Sequence, residues 1–510
     1  MSPSPTSAGQ GPDSGASHTG RDPRPAPGAP GTGSTTAGST MRRYWCEWAW
    51  TGGDDAPVEA DVLIELGANG RIAAVTPGSA PAADAERLPG LTMAGLANAH
   101  SHAFHRALRG RTHGDGGSFW TWRERMYEVA DRLTPDSYHR LARAVYAEMA
   151  LAGITCVGEF HYLHHDRAGV PYADPNAMSA ALVAAAADAG IRITLLDTCY
   201  LSGGLSAEGG HTPLDGTQLR FGDGDADAWA ARVDAFRPQG DHARLGAAVH
   251  SVRAVPAAQI PGVAAWAEAR EAPLHVHLSE QRAENTACAA AYGRTPAALL
   301  ADAGALGTRT SLVHATHLTD ADVSAVRAAR ATVCLCLTTE RDLADGIART
   351  GDLVAGDAAD GTGPAALSLG TDQHAQIDMF EEMRGAELHE RLRTGRRGVL
   401  TPSALRTAAT LHGHASLGWI SETTAEAGAL TPGARADLVT LRLDSIRLAG
   451  LDPARASDAV VFAATAADVR HVMADGRWIV RDGAHLTVPD TARELDAAIT
   501  ELYAPAARNR

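Results

Sequence analysis

Two histidines spaced two residues apart, His100 and His102, end a short apolar run over 91–99. Residues i and i+2 of an extended strand face the same side, so both imidazoles would point into one space. Converging imidazoles are typical ligands of a divalent metal such as zinc. A His-x-His pair also occurs in ordinary surface turns, so the metal hypothesis depends on further groups elsewhere in the chain.

More polar side chains stand where later apolar runs end. These are His275, His277 and Glu280 near the run 273–277, His314 at the end of 310–314, and Asp372 after 366–371. A third imidazole and a carboxylate would complete a catalytic metal site that leaves one position open. We therefore predict a metal centre built from the ends of four strands.

Several of these positions have competing interpretations. Of the two histidines on one face of the run 273–277 we favour His277, because Glu280 follows it three residues later and a loop can turn that carboxylate toward the site. His314 competes with His317, which lies beyond the predicted strand. Asp372 could also be a helix N-cap, but its place directly after the eighth apolar run favours the metal role.

A second histidine cluster follows the run 155–160. We expect one of His161, His164 and His165 to lie near the site and the others to be exposed.

Eight apolar runs alternate with Ala-rich helical patterns through the middle of the chain. The runs are 93–99, 155–160, 191–197, 245–249, 273–277, 310–314, 331–336 and 366–371. Each is continuously apolar, as in parallel strands covered on both faces. Eight βα units over about 250 residues or more are typical of an α/β protein with a (β/α)8 TIM barrel. An open doubly wound sheet normally begins with a Gly-rich phosphate turn, which the sequence lacks.

The flanking segments contain hairpins instead. Two β runs within 61–78 are joined through 68–70, and 433–444 and 469–483 are also strand-rich. Each is too small to be stable alone, so we expect both chain ends to form one small β-sandwich domain. The predicted organisation is a disordered tail over 1–40, a composite sandwich of 43–92 plus 430–490, a barrel over 93–429, and a C-terminal helix or tail over 491–510.

Composition excludes several functions. The 510 residues carry a formal net charge of −15, and all 45 basic residues are arginine. The absence of lysine excludes Schiff-base chemistry, the usual phosphate-binding P-loop and metal pairs bridged by a modified lysine. An acidic chain without basic clusters disfavours nucleic-acid binding. With no 18-residue apolar stretch, no signal peptide in the first 40 residues and irregularly spaced cysteines, we expect a cytoplasmic protein without membrane contact.

The His-x-His, His-x-x-Glu, His and Asp pattern resembles the mononuclear metal-dependent deaminases of the amidohydrolase superfamily, over about residues 43–490. The stretches 118–135, 159–166 and 250–255 are similar, more narrowly, to the formimidoylglutamate deiminases. That resemblance implies hydrolysis of N-formimino-L-glutamate to N-formyl-L-glutamate and ammonia, a step of histidine degradation. It also implies one bound Zn²⁺, with Fe²⁺ as the alternative, and a homodimer.

The resemblance also implies roles for individual residues. Metal ligands would be His100, His102, His277 and Asp372, and substrate contacts would be Arg123, Tyr162, His250 and Arg253. His105 stands where the family pattern has glutamine. Two carboxylates on the substrate suit two arginines, which pair with them bidentately. Asp372 and His314 would accept a proton from water, and Glu280 would pass it to the departing nitrogen.

Two other functions stay open at this stage. A related deaminase or chlorohydrolase acting on a purine or triazine ring would need aromatic or amide groups, and would have little use for two arginines. A non-enzymatic metal-binding or scaffolding protein would be expected to lack one of the metal ligands or Glu280. The sequence has all the predicted ligands and Glu280.

Overall fold

The computed structural model describes residues 41–505, except 53–56, 114–117, 207, 209, 357–360 and 421–426. The tail predicted over 1–40 lies outside the described residues. In this part of the chain the strands are β1 (Arg42–Trp50), β2 (Glu59–Leu66), β3 (Ile72–Thr76), β4 (Glu86–Ala94), β5 (Leu96–Ser101), β6 (Ile154–His161), β7 (Arg192–Cys199), β8 (Gly204–Leu205), β9 (His211–Thr212), β10 (Ala243–Val249), β11 (Leu274–Leu278), β12 (Thr310–His314), β13 (Thr332–Leu335), β14 (Ala366–Leu369), β15 (Leu438–Leu441), β16 (Val469–Ala474), β17 (Arg477–Arg481) and β18 (Ala484–His485).

The α-helices of the same ranges are α1 (Phe119–Ala130), α2 (Pro135–Leu151), α3 (Ala177–Ala189), α4 (Ala226–Ala235), α5 (Ile260–Ala269), α6 (Arg282–Tyr292), α7 (Pro296–Asp302), α8 (Asp320–Ala328), α9 (Leu337–Asp342), α10 (Thr350–Val354), α11 (Met379–Thr394), α12 (Pro402–Ala409), α13 (Leu411–Ser416), α14 (Ala456–Ala463) and α15 (Thr491–Tyr503). Local sequence sets their ends: Thr134 and Ser137 form a capping box around Pro135 at the start of α2. Gly190, with φ of 77°, ends α3 in the left-handed conformation that glycine favours. None of the described helices is long and apolar enough to cross a membrane.

The central strands form the predicted parallel barrel sheet, in the order β14-β13-β12-β11-β10-β7-β6-β5. All eight predicted runs are strands, and every residue of β6, β7, β11 and β12 is buried, as expected for strands covered on both faces. The two edge strands approach each other through a single bridge between Ser101 and Asp372. The (β/α)8 architecture is therefore confirmed, and the strand ends meet at one mouth.

The two ends of the chain form one second sheet, in the order β18-β17-β16-β15-β4-β1-β2-β3. β4 is its junction, because it pairs with β1 in parallel and with β15 antiparallel. Side chains of this sheet, Tyr44, Ile64 and Met473 among them, bury a hydrophobic core of their own. The predicted pairing of the chain ends is thus observed; the domain boundaries themselves stay a prediction.

A buried ion pair joins this sheet to the base of the barrel. Arg192 opens β7 and pairs with both carboxylate oxygens of Asp437, beside β15, and its Nη1 lies 3.0 Å from Oδ1 of Asp475. Although burial opposes ionisation of Asp437, the Arg192 guanidinium holds the pKa of that carboxyl below its usual range. The junction therefore depends on a charge pair removed from water.

Replacing Asp437 by asparagine should destabilise the fold by about 3–5 kcal/mol, because the Arg192 guanidinium would stay buried without its main counter-charge. Urea denaturation measures the free energy of unfolding. The matched control is Glu128→Gln, which removes an exposed pair with Arg125 and should change the free energy by less than about 1 kcal/mol. Equal effects of the two variants would contradict the importance of the buried pair.

Candidate metal centre and active site

Three histidines and one aspartate converge at the mouth of the barrel. Nε2 of His277 lies 3.1 Å from Nε2 of His100, and Oδ1 of Asp372 lies 3.4 Å from Nε2 of both His100 and His102. All four side chains are buried. β5 supplies His100, and His102 follows its last residue; β11 supplies His277 and the turn after β14 supplies Asp372, near the strand ends as predicted.

Backbone carbonyls fix how two of these rings present their lone pairs. Nδ1 of His102 donates to the carbonyl of Phe160 at 2.8 Å, and Nδ1 of His277 donates to the carbonyl of His250 at 2.9 Å. Their Nε2 atoms therefore carry lone pairs toward the common point. Burial and the neighbouring His100 lower the pKa of His102 to about 3, so the ring is neutral at physiological pH, as a metal ligand must be.

This donor set fits a four-coordinate divalent metal. A tetrahedral ion with metal–nitrogen bonds of about 2.0–2.1 Å separates its ligand atoms by about 3.3 Å, and the three separations given above are 3.1, 3.4 and 3.4 Å. Imidazole and carboxylate suit zinc and iron alike. His100, His102, His277 and Asp372 would hold the ion.

His314, at the end of β12, lies among carboxylates. Its Nε2 is 3.7 Å from Oε1 of Glu280 and 3.8 Å from Oδ2 of Asp372, and its Nδ1 is 3.4 Å from Oε1 of Glu340. Burial opposes the charged ring, but the three carboxylates outweigh it and raise the pKa of His314 to about 10. A divalent cation beside Asp372 would oppose that positive charge.

Backbone strain concentrates at the same strand ends. Ser279, His314, Ala315, Asp372 and His374 all have φ between 41° and 69°, the region that non-glycine residues rarely adopt. Each such residue costs of the order of 1–3 kcal/mol and persists only where the surrounding contacts hold it. The packing that fixes the ligands therefore works against local conformational preference.

A pocket opens above the ligands. Ten of the predicted site residues line it: His102, His105, Arg123, Tyr162, His250, Arg253, His277, Glu280, His314 and Asp372. His100 lies beneath, with none of its surface exposed. The structure therefore brings together in one place the residues predicted as ligands, as substrate contacts and as proton-transfer groups.

The two arginines of the pocket have different surroundings. Arg253 is largely buried, with Nη2 3.0 Å from Oε2 of Glu280 and Nε 3.2 Å from Oε2 of Glu284. Arg123, on α1, stacks on the rings of Trp120 and Tyr127, its guanidinium carbon 4.6 and 5.6 Å from their centroids. Arg123 makes no ion pair within the described residues.

His105 lies in the pocket beside Tyr162. Its Nε2 lies 3.0 Å from the hydroxyl of Tyr162, and its Nδ1 has no hydrogen-bond partner in the described part of the chain. Both side chains line the pocket. His105 therefore lies at the pocket wall with one ring nitrogen bonded to Tyr162 and the other buried without a partner among the described residues.

Other predicted candidates lie elsewhere. Nε2 of His275 bonds to the carbonyl of Ser416 at 2.9 Å, and His317 is half-buried outside the pocket. The helix-cap interpretation of Asp372 was wrong, because the next α-helix, α11, is capped by Asp378.

The expectation for the second histidine cluster was also wrong. His161, His164 and His165 are all buried, and none lines the pocket. His165 pairs with Asp223 at 3.0 Å, and Nε2 of His164 lies 2.9 Å from the carbonyl of Thr198. The partners of His164 and His165 lie more than 30 residues away in the chain, so the local sequence pattern did not indicate that these histidines are buried.

Sequence reasoning missed the carboxylates behind the site and most of the pocket's aromatic lining. Glu340 follows the seventh barrel strand, where functional groups of such barrels are found, and this position could have indicated it. Glu284 stands four residues after Glu280, and helical spacing could have indicated that the two lie close together. The aromatic wall of the pocket comprises Phe119, Trp122, Tyr127, Tyr200 and Phe221.

Comparison with known proteins identifies the class. The model of the amidohydrolase family matches residues 91–479. The chain is 38% identical over 448 residues to the formimidoylglutamate deiminase of Pseudomonas aeruginosa, covering 87% of this chain and 96% of that protein. It is 29% identical over 408 residues to the 8-oxoguanine deaminase of the same organism, covering 77% and 83% of the two chains.

A solved structure agrees. The crystal structure of an amidohydrolase from Brucella melitensis superposes with a TM-score of 0.79 at 32% identity, covering 91% of this chain and all of the other. The chain belongs to the amidohydrolase family.

Changing His277 to glutamine should strip the protein of most of its metal, because one of three converging imidazoles is lost. Elemental analysis of the purified variant gives the metal content per chain. His275→Gln, two residues earlier on the same strand, should keep its metal. Loss of metal from the His275 variant alone would contradict the assignment.

Proposed function

We propose that the protein hydrolyses N-formimino-L-glutamate to N-formyl-L-glutamate and ammonia. The observation that carries the proposal is the presence of two arginines and Glu280 in the same pocket as the metal ligands. The 38% identity to a formimidoylglutamate deiminase over almost its full length supports it.

The charges of the pocket complement those of this substrate. The substrate has two carboxylates and an amidine head that is largely cationic at neutral pH. Arg123 and Arg253 would pair with the carboxylates, and the carboxylate of Glu280 would face the amidine. Tyr162, His250 and His105 would add hydrogen bonds from the pocket wall.

Binding would redistribute the contacts of Arg253. In the structure its Nη2 contacts Glu280 and its Nε faces Glu284. A substrate carboxylate pairing with Arg253 would compete with Glu280 for the guanidinium, while Glu284 continues to hold it. Glu280 would then be available to the amidine nitrogen.

The chain's own groups can carry the proton transfers. The bound metal supplies a Lewis acid that makes water nucleophilic near neutral pH. Asp372, with His314 at 3.8 Å, is placed to take a proton as water adds to the formimidoyl carbon. Glu280 passes that proton to the nitrogen that departs, and Asp372 takes the second proton, from the hydroxyl, as ammonia leaves and the formyl C=O forms.

Zn²⁺ is the proposed ion, with Fe²⁺ as the alternative, since the donor set suits both. Six unpaired, buried cysteines are compatible with a reducing compartment, and we propose a cytoplasmic location. A homodimer and the absence of nucleic-acid and membrane partners stay predictions.

The aromatic wall favours a second candidate. Its rings could stack on a purine, and a relative at 29% identity is an 8-oxoguanine deaminase. Such a substrate would leave both arginines without carboxylate partners, which is why the formimino substrate is preferred.

Ammonia release from N-formimino-L-glutamate by the zinc-loaded protein tests the proposal. We expect rapid release from this compound and little from guanine, 8-oxoguanine or N-formimino-L-aspartate. Activity on a purine alone, with metal bound at one ion per chain, would overturn the substrate and leave the deaminase class intact.

Glu280→Gln should lower kcat by about 10²–10⁴-fold, because it removes a proton-transfer group. Metal content should stay near that of the wild type, since Glu280 is not among the proposed ligands. Glu124→Gln, a polar change on α1 that leaves the proposed machinery intact, is the control and should not alter kcat. A Glu280 variant that is inactive only because it has lost its metal would contradict this role.

A further inference from the structure

The barrel sheet closes next to the proposed metal ligands, at a seam between its end strands β14 and β5. β14 and β5 approach each other through the single bridge between Ser101 and Asp372. Amide groups of Thr371 and Asp372 both donate to the carbonyl of His100, at 3.2 and 3.0 Å, and His102 donates to the carbonyl of Asp372 at 3.2 Å. Three of the four proposed ligands thus belong to the two segments that this seam must hold together.

Glycine makes the approach possible. A Cβ built on Gly370 would lie 2.7 Å from the Cβ of His100 and 2.9 Å from its carbonyl oxygen. Any side chain at residue 370 would therefore push the turn that carries Asp372 away from β5.

Five buried polar side chains run behind the ligands across this seam, and we call them the polar relay: Asn98, Thr371, His374, Ser101 and Glu159. Asn98 Nδ2 donates to Thr371 Oγ1 at 2.7 Å, and Asn98 Oδ1 accepts from the Thr371 amide at 2.9 Å. Thr371 Oγ1 lies 2.9 Å from His374 Nδ1.

The other half of the polar relay fixes its direction. Ser101 Oγ donates to Glu159 Oε2 at 2.7 Å and lies 3.1 Å from His374 Nε2. When Glu159 is ionised, the single Ser101 proton goes to its carboxylate, and His374 Nε2 is then the donor to Ser101. His374 Nδ1 is then the acceptor, and the Thr371 hydroxyl donates to it.

In this arrangement every donor of the polar relay faces an acceptor. Both oxygens of Glu159 accept hydrogen bonds at the end of the polar relay: Oε2 from Ser101, and Oε1 from the amide of Ala103, directly after His102. The chain of bonds runs from β5 to the turn after β14, back to β5 and on to β6. It ties together the backbone on both sides of the ligands.

We propose that the polar relay positions the metal ligands, so that its hydroxyls set the metal affinity without touching the ion. Thr371 and Ser101 are positioning residues in this sense, one beside Asp372 and the other between His100 and His102. The proposal rests on the metal centre proposed above and is independent of which amine is hydrolysed. Outer-shell groups bonded to the ligands themselves are typically worth about 10–100-fold in metal affinity, and we expect an effect of that order from the polar relay, which acts through the backbone beside the ligands.

The test compares full-length variants by competition for Zn²⁺ with a chromophoric chelator. Thr371→Val and Ser101→Ala, which each break the relay, should bind zinc about 10–100-fold more weakly than the wild type. Thr371→Ser, which keeps the hydroxyl, should bind nearly as the wild type does. Ser311→Ala is the matched control, since its equally buried hydroxyl makes no hydrogen bond within the described residues.

Hydrogen exchange in the metal-free protein gives a second readout. Amides of 100–103 and 371–374 should exchange faster in Thr371→Val, while those of β7 stay protected. The proposal would be overturned if Thr371→Val and Ser101→Ala bound zinc as tightly as the wild type, or if Ser311→Ala lost as much zinc affinity as they do. A wild type that binds no zinc would refute the metal centre, and the exchange rates would still decide whether the relay holds the seam.

Discussion

At the seam between β5 and β14, the first and last strands of the barrel come close enough that only glycine fits at residue 370. That approach puts Asp372 within 3.4 Å of His100 and His102, which no local preference of either segment would produce. His277 enters the same point from β11, across the barrel. The positive φ values of His314 and Asp372 show that global packing, and not local conformation, determines these strand ends.

Electrostatics divides the mouth of the barrel into two parts. Neutral imidazoles would face the ion, Glu280 and Glu340 flank His314, and Asp372 lies between the two groups, with Oδ1 toward His100 and His102 and Oδ2 toward His314. Farther out, Arg123 and Arg253 place positive charge where a dicarboxylate would bind. This ordering of charge, more than the shape of the pocket, separates a linear amidine from a purine as the preferred substrate, because the aromatic wall would accept either.

Much of this could be predicted from the sequence because barrel strands have a simple pattern. Continuous apolar runs predicted all eight strands, and their carboxyl ends predicted His100, His102, His277, His314 and Asp372 as neighbours. Interactions between distant segments could not be predicted in this way. The burial of His164 and His165 depends on Thr198 and Asp223, and the contacts of Arg253 with Glu280 and Glu284 depend on how two loops meet. The polar relay joins residues up to 273 positions apart, so no local pattern contains it.

Anomalous diffraction at the zinc edge, from crystals of the zinc-loaded protein, tests most directly whether one ion is held where the strand ends converge. The structure predicts one strong peak per chain, bounded by Nε2 of His100, His102 and His277 and by the carboxylate of Asp372. A peak at the buried group of His161, His164 and Asp197, whose side-chain donors also lie close together, with none at the mouth of the barrel, would contradict it.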